Sequence, residues 1–174
     1  MQEEKVAAVG IILKNNSVLL IKRKVDEKDP WSGDIALPGG RKEKEDKDLF
    51  DTIKRELKEE VGLNVEELKY LGELHFFTPR SKRVPKIRVK PFVFLMEKEL
   101  SIKKGEEIEE VFWANFNEFV KKTVLIKKIN RRRKAFICKN YIIWGLTYRI
   151  LSEFITHFTH FYKDLNLLLK SKKA

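Results

Sequence analysis

Short apolar runs and charged interruptions follow one another along the chain, and two different periods divide it into strands and helices. Val6 to Leu13 and Val18 to Ile21 are runs rich in branched residues, parted by Lys14-Asn15-Asn16-Ser17, and they predict two strands joined by a turn. Lys24 to Gly33 is polar and holds Pro30, which predicts a loop, and Ile35-Ala36-Leu37 is a short extended piece stopped by Pro38 and two glycines. From about Leu49 to Val61 the period changes: Phe50, Ile53, Leu57 and Val61 recur at helical spacing, Asp46 to Asp48 lead in, and Gly62 supplies a stop. Further strands are predicted at Lys69 to Phe77, Arg88 to Met96 and Val111 to Trp113, with a proline-containing loop from Thr78 to Lys86 and a turn from Ser101 to Gly105. Phe116 to Val120 predicts a short helix, Arg131-Arg132-Arg133-Lys134 a charged connection, and Tyr141 to about Phe161 a helix whose core stripe is Ile142, Leu146, Ile150 and Phe154. Strands and helices without strict alternation predict an α/β class with a mixed sheet sandwiched between helices.

The 174 residues fit one domain, with a basic C-terminal helix from about residue 140 and a lysine-rich end expected to be disordered. A single cysteine, Cys138, excludes an internal disulfide framework and suits a reducing cytosol. Met1 to Lys5 lacks the apolar character of a secretory signal, and no apolar run approaches the roughly 18 residues of a membrane span. A cytoplasmic protein without a membrane partner is therefore expected. The net charge of +11 is unevenly placed: from Lys121 to Ala174 there are 14 Lys and Arg against only Glu153 and Asp164. That basic third is either a solvated surface or an attractor of nucleic acid or of a substrate's phosphates.

The segment from Gly40 to Leu63 changes the picture most. Glu56, Glu59 and Glu60 are i, i+3 and i+4 neighbours, so three carboxylates crowd one flank of the predicted helix. Like charges at that spacing repel, and a hard divalent cation relieves the repulsion because it takes oxygen ligands. Gly39-Gly40 lies just upstream, where glycine lets a backbone carbonyl approach an ion. Arg55, four residues before Glu59, can hold that carboxylate by a charge-assisted bond. Such a cluster binds Mg²⁺ weakly alone and better with a diphosphate, lowers the pKa of a bound water, and leaves a carboxylate to take its proton. The reaction class is hydrolysis of a phosphoanhydride; the plain alternative is an ordinary exposed helix.

These residues resemble the Nudix box, G-x5-E-x7-R-E-U-x-E-E-x-G-U with U a bulky aliphatic, through Gly40, Arg55, Glu56, Leu57, Glu59, Glu60, Gly62 and Leu63. Asp46 stands where the box has its first Glu, and eight residues rather than seven separate it from Arg55. The resemblance extends over roughly residues 5–155, including Leu19 to Arg23, Gly33 to Gly40, Pro91 to Phe94 and Ile143 to Leu151, and is similar there to the branch of coenzyme A diphosphatases. It implies an α/β/α sandwich with a mixed sheet and Mg²⁺, for which Mn²⁺ can substitute. It implies Glu56, Glu59, Glu60 and the Gly40 carbonyl as metal ligands, one of the three acids as the base, Glu59 and Arg55 as catalytic candidates with Arg55 orienting Glu59 or its neighbour, and Glu107 as a further ligand or base. The upstream signature of that branch is kept at Leu19, Leu20, Arg23, Gly33 and Pro38-Gly39-Gly40, but Ile21, Lys24, Lys28 and Leu37 depart from it. The implied substrate is a nucleoside diphosphate linked to another moiety, coenzyme A-like molecules first; nucleoside triphosphates, ADP-ribose and a cap-removing or RNA-binding role stand as alternatives. The resemblance is also compatible with a homodimer.

Arg23 and Lys28 are candidates to meet substrate phosphate beside Gly39, or else are rim charges. Arg80, Lys82, Arg83, Lys86 and Arg88 crowd one loop and either hold an anionic tail of the substrate or are solvated. Phe76, Phe77 and Trp31 either stack on a base or fill the core. His75, His157 and His160 show no ligand pattern.

Overall fold

In the computed structural model, residues 4–29, 32–82, 84 and 86–158 are described. The chain runs β1 (Val6–Lys14), β2 (Ser17–Arg23), β3 (Ile35–Ala36), β4 (Gly39–Arg41), α1 (Leu49–Val61), β5 (Lys69–Glu73), β6 (Arg88–Leu95), β7 (Ile108–Asn115), β8 (Val120–Ile126), β9 (Arg131–Cys138), β10 (Tyr141–Trp144) and α2 (Gly145–His157). Strands β1 to β7 form one mixed sheet along the path β3-β2-β1-β6-β5, with β4 added to β1 and β7 to β2. The β1–β6 pairing is parallel and the others are antiparallel.

Both faces of this sheet are covered, which is why its central strands read as nearly continuous apolar runs. Ile12, Leu19, Ile21, Phe92 and Phe94 pack beneath Ile53, Leu57 and Val61 of α1. Their alternate neighbours Ile11, Leu13, Leu20, Val93 and Leu95 face Phe136, Ile143, Leu151 and Phe154 of β9, β10 and α2. The result is an α/β/α sandwich. The predicted limits of α1 are matched, because its caps are local: Asp48 accepts the Asp51 N–H at 2.8 Å, and Gly62 closes the helix at φ 71°.

The C-terminal third differs from the sequence expectation. Arg131 to Lys134 are not a connection but the start of β9, and Tyr141 to Trp144 are a strand, so α2 begins at Gly145 rather than near residue 140. The short helix expected from Phe116 to Val120 is present as one 3₁₀ turn at Phe116–Glu118, but it stops before Val120, where the chain extends into β8. Strands β10-β9-β8 make a second, antiparallel sheet. Much of β8 and the first half of β9 lie in solvent, so no burial imposes an apolar alternation there for the sequence to reveal. The strand expected from Lys69 to Phe77 ends at Glu73, with Phe77 returning as an isolated bridge to Val89. No helix among the described residues is long and apolar enough to cross a membrane. The lysine-rich end and His160 fall outside the described residues.

Candidate functional site

The site is assembled where α1 lies over the bend between β3 and β4. The Gly10 N–H donates to the Pro38 carbonyl at 2.8 Å, fixing the bend against β1. Gly39 sits at φ 154°, and a Cβ there would overlap the Ala8 backbone, so only glycine fits. Gly40 has ordinary φ, yet a Cβ on it would overlap the Glu56 carboxylate. The two glycines thus do different things: one permits the backbone to turn against β1, the other leaves room for an acid of α1.

Glu60 is buried, and its Oε1 accepts the Gly39 N–H at 2.6 Å. Arg23, at the end of β2, donates from Nη2 to the Gly39 carbonyl at 3.2 Å and lies 3.8 Å from Glu60 Oε2. Burial pushes the Glu60 carboxyl up to about 7, against Arg23 and the Gly39 N–H, while Glu56 and Glu107 push it further the same way. Burial also raises Glu56, with Arg55 opposing and Glu59 adding to the rise. The exposures separate the three acids: 14% for the Glu56 side chain, 8% for Glu60 and 61% for Glu59.

Arg55 is the organiser of the flank, with a partner that the spacing alone did not select. Its Nη1 donates to Glu56 Oε1 at 2.8 Å, whereas Glu59 Oε2 stands at 3.6 Å. Its Nε and Nη2 take both oxygens of Asp46, at 3.1 and 2.9 Å. Asp46 is itself buried and also accepts from the Glu43 N–H and the Thr52 hydroxyl. Arg55 beside it holds that carboxyl well below the usual carboxylate range. The shorter Asp side chain and the extra residue before Arg55 therefore still end in a two-pronged pair.

Glu107 comes within range of the flank because the turn that precedes it is bonded to the end of α1. The Lys103 N–H donates to the Val61 carbonyl at 2.9 Å and the Gly105 N–H to the Glu60 carbonyl at 3.0 Å, so residues 103–107 are tied to the end of α1. Glu107 is exposed and within electrostatic range of Glu60. Asp34 is a bracing residue that no motif in the sequence singles out. It accepts from Lys128 Nζ at 3.0 Å and from the Trp144 side chain, tying the loop before Pro38 to the second sheet.

The remaining candidates have contacts of their own. Lys28 is exposed, and its described bond is from its backbone N–H to Asp26 at 2.9 Å. Arg80 is exposed and lies in electrostatic range of Arg149 on α2, which covers the face opposite α1. Arg88 stacks 4.1 Å over Phe76 and meets Glu4 at 3.2 Å. Phe77 is buried in the core and so is not a stacking surface for a base. Trp31 and Arg83 lie outside the described residues.

A family profile for the NUDIX domain matches residues 4–138. The chain belongs to the Nudix hydrolase family. It is 27% identical over 159 residues to the protein named Uncharacterized Nudix hydrolase NudL of Pectobacterium atrosepticum, covering 87% of this chain and 81% of that one. A second relative, an uncharacterized protein of Schizosaccharomyces pombe, is 36% identical over 103 residues, 57% of this chain and 31% of its own length. Among solved structures, a MutT/nudix family protein of Enterococcus faecalis superposes with a TM-score of 0.66 at 21% identity, covering 92% of this chain and 64% of that one. A bifunctional NMN adenylyltransferase/ADP ribose pyrophosphatase of Francisella tularensis, complexed with AMP and a manganese ion, gives 0.63 at 19% identity, covering 90% of this chain and 42% of that one. At these identities the two structures establish the Nudix fold alone.

Nudix hydrolases generally use divalent metals, and the donor set here suits a hard cation: three carboxylates on one flank, two of them nearly buried, with Glu59 raising the pKa of Glu56 and Glu56 that of Glu60. In the present arrangement Glu56 turns to Arg55 and Glu60 to Gly39, and among the described residues no three acidic, His or Cys side chains already converge as a cage.

Proposed function

We propose that this Nudix protein hydrolyses a phosphoanhydride in a nucleoside diphosphate linked to another moiety, with coenzyme A-like molecules as the first substrate class. The observation that carries the reading is Glu60, buried against the Gly39 N–H with Arg23 beside it, on the same helix flank as Glu56 and Glu59. A buried acid held between a backbone N–H and an arginine is costly for the fold, which makes it a candidate for chemistry rather than stability. Glu56, Glu59 and Glu60 with the Gly40 carbonyl would hold Mg²⁺ or Mn²⁺. Bound there, the ion would offset the diphosphate's charge and acidify a water.

The chain's own residues supply the remainder. Arg55 holds Glu56 in place through the anchor on Asp46. Arg23 offers its remaining donors to a phosphate oxygen beside the Gly39 bend. Glu59, the most exposed acid of the three and 3.6 Å from Arg55, would besides its place in the donor set take the proton of the attacking water, and Glu107 brings a further carboxylate to the same end of α1. The preference for coenzyme A-like molecules is supported by the retained Leu19, Leu20, Arg23, Gly33 and Pro38-Gly39-Gly40.

The test is a panel of coenzyme A, ADP-ribose, nucleoside triphosphates and capped RNA with Mg²⁺ or Mn²⁺, with products read by mass and substrates ranked by kcat/KM. Cleavage of the coenzyme A diphosphate with the highest kcat/KM supports the reading. A higher value for ADP-ribose or a triphosphate overturns the substrate class, and wild-type hydrolysis by Glu59→Gln overturns the role given to that residue.

A further inference from the structure

We propose that the β8–β9 ribbon is a docking surface for double-stranded DNA, lying along the major groove with its cations on the phosphates of both walls. This inference is independent of the hydrolytic reading. From residue 119 to 152 the chain has ten Lys and Arg and no Asp or Glu. Six of the ten, Lys121, Lys122, Arg131, Arg132, Arg133 and Lys134, lie exposed on the two paired strands. None of the six forms an ion pair among the described residues.

The register sets how those charges are distributed. Lys121 pairs with Phe136, Thr123 with Lys134 and Leu125 with Arg132, while Lys122 pairs with Ala135, Val124 with Arg133 and Ile126 with Arg131. Directly paired residues share a face, and successive residues alternate. One face therefore carries Lys121, Arg132 and Lys134, and the other carries Lys122, Arg131 and Arg133. Two hydrogen bonds, from Arg132 to the Thr123 carbonyl and from Arg133 to the Arg132 carbonyl, both 3.0 Å, leave further donors on each guanidinium.

A ribbon charged on both faces selects its partner. A flat anionic surface such as a bilayer engages one face and leaves the other three cations unused. Single-stranded nucleic acid is bound chiefly on aromatic stacking platforms, and residues 120–134 include no aromatic. The major groove of A-form RNA is too narrow to admit side chains, whereas that of B-form DNA, about 12 Å wide, takes a two-stranded ribbon between two rows of phosphates. Lys128, bonded to Asp34 at 3.0 Å, braces the tip against the body of the protein.

The experiment titrates the full chain into a labelled DNA duplex of about two helical turns, by fluorescence anisotropy, from about 50 to 200 mM salt. Two variants each remove one face: Lys121→Gln with Arg132→Gln and Lys134→Gln, and Lys122→Gln with Arg131→Gln and Arg133→Gln. All six positions are exposed and outside the proposed catalytic flank, so the circular dichroism spectrum and hydrolytic rate of both variants are expected to stay at wild type. Each is expected to reduce the slope of log affinity against log salt by about 2.7, three phosphates at roughly 0.9 each, and to weaken duplex binding on the order of 100-fold at the lowest salt. An unchanged slope in either variant overturns the proposal. So does binding to single-stranded DNA, duplex RNA or anionic vesicles as tight as to duplex DNA.

Discussion

Arg55 grips Asp46 with two parallel hydrogen bonds, Nε to Oδ1 at 3.1 Å and Nη2 to Oδ2 at 2.9 Å, and turns its remaining arm to Glu56 at 2.8 Å. The arginine thus links a buried structural acid to a carboxylate of the proposed site. Asp46→Ala would leave a partly buried guanidinium half unpaired and also strip acceptors from Glu43 N–H and Thr52. We expect a loss of about 2–3 kcal/mol in denaturant unfolding, less than for a fully buried pair because Arg55 is partly exposed. We also expect kcat/KM to fall by at least about tenfold, since Glu56 loses its brace. Because the folded-state pKa is depressed, the stabilisation is present above the ordinary Asp value near 3.9 and is lost as pH falls below it. An acid-unfolding midpoint identical in wild type and Asp46→Ala would contradict this.

Glu60→Gln separates stability from activity. The amide oxygen can still accept the Gly39 N–H, while the buried charge, disfavoured enough to lift the carboxyl to about 7, is gone. The melting temperature is expected to hold or rise, and hydrolysis to fall on the order of 100-fold or more. A parallel fall in both would assign Glu60 to the fold instead.

The two glycines of the bend should answer differently to alanine. Gly39→Ala forces a Cβ into the Ala8 backbone at a φ of 154° and is expected to cost several kcal/mol, on the order of 3 or more, with poor folding. Gly40→Ala meets only the mobile end of Glu56, so it is expected to retain most stability while losing activity. Thermal melts and kcat measured side by side on the two variants check the contrast.

A pH-dependent tie joins the β5–β6 connection to α2. His75 Nε2 lies 2.5 Å from Glu153 and Nδ1 2.8 Å from the Phe76 carbonyl, and these partners raise the His75 pKa. A raised pKa means that the stabilisation is complete below about 6.5 and is lost as pH climbs through the folded value. The ring is largely exposed, so the effect is a few tenths of a kcal/mol, about the size of a surface pair. His75→Gln should flatten the difference in stability between acidic and mildly alkaline buffer; an unaltered pH profile would exclude the tie.

Where burial and local chemistry left a periodic signature, the sequence was sufficient. The apolar runs of β1 and β2, the limits of α1, its caps at Asp48 and Gly62, and the flank of Glu56, Glu59 and Glu60 are all consequences of spacing along one short segment. The solvent-borne ribbon of β8 and β9 had no such signature, and its cations read as a connection. Which partner Arg55 chooses, how deeply Glu60 is buried, and that Glu107 comes within electrostatic range of Glu60 were decided by the tertiary structure. Those relations join residues far apart along the chain. They depend on how α1, the Gly39 bend and the loop of residues 103–107 pack together, and no local periodicity encodes a distance across that packing.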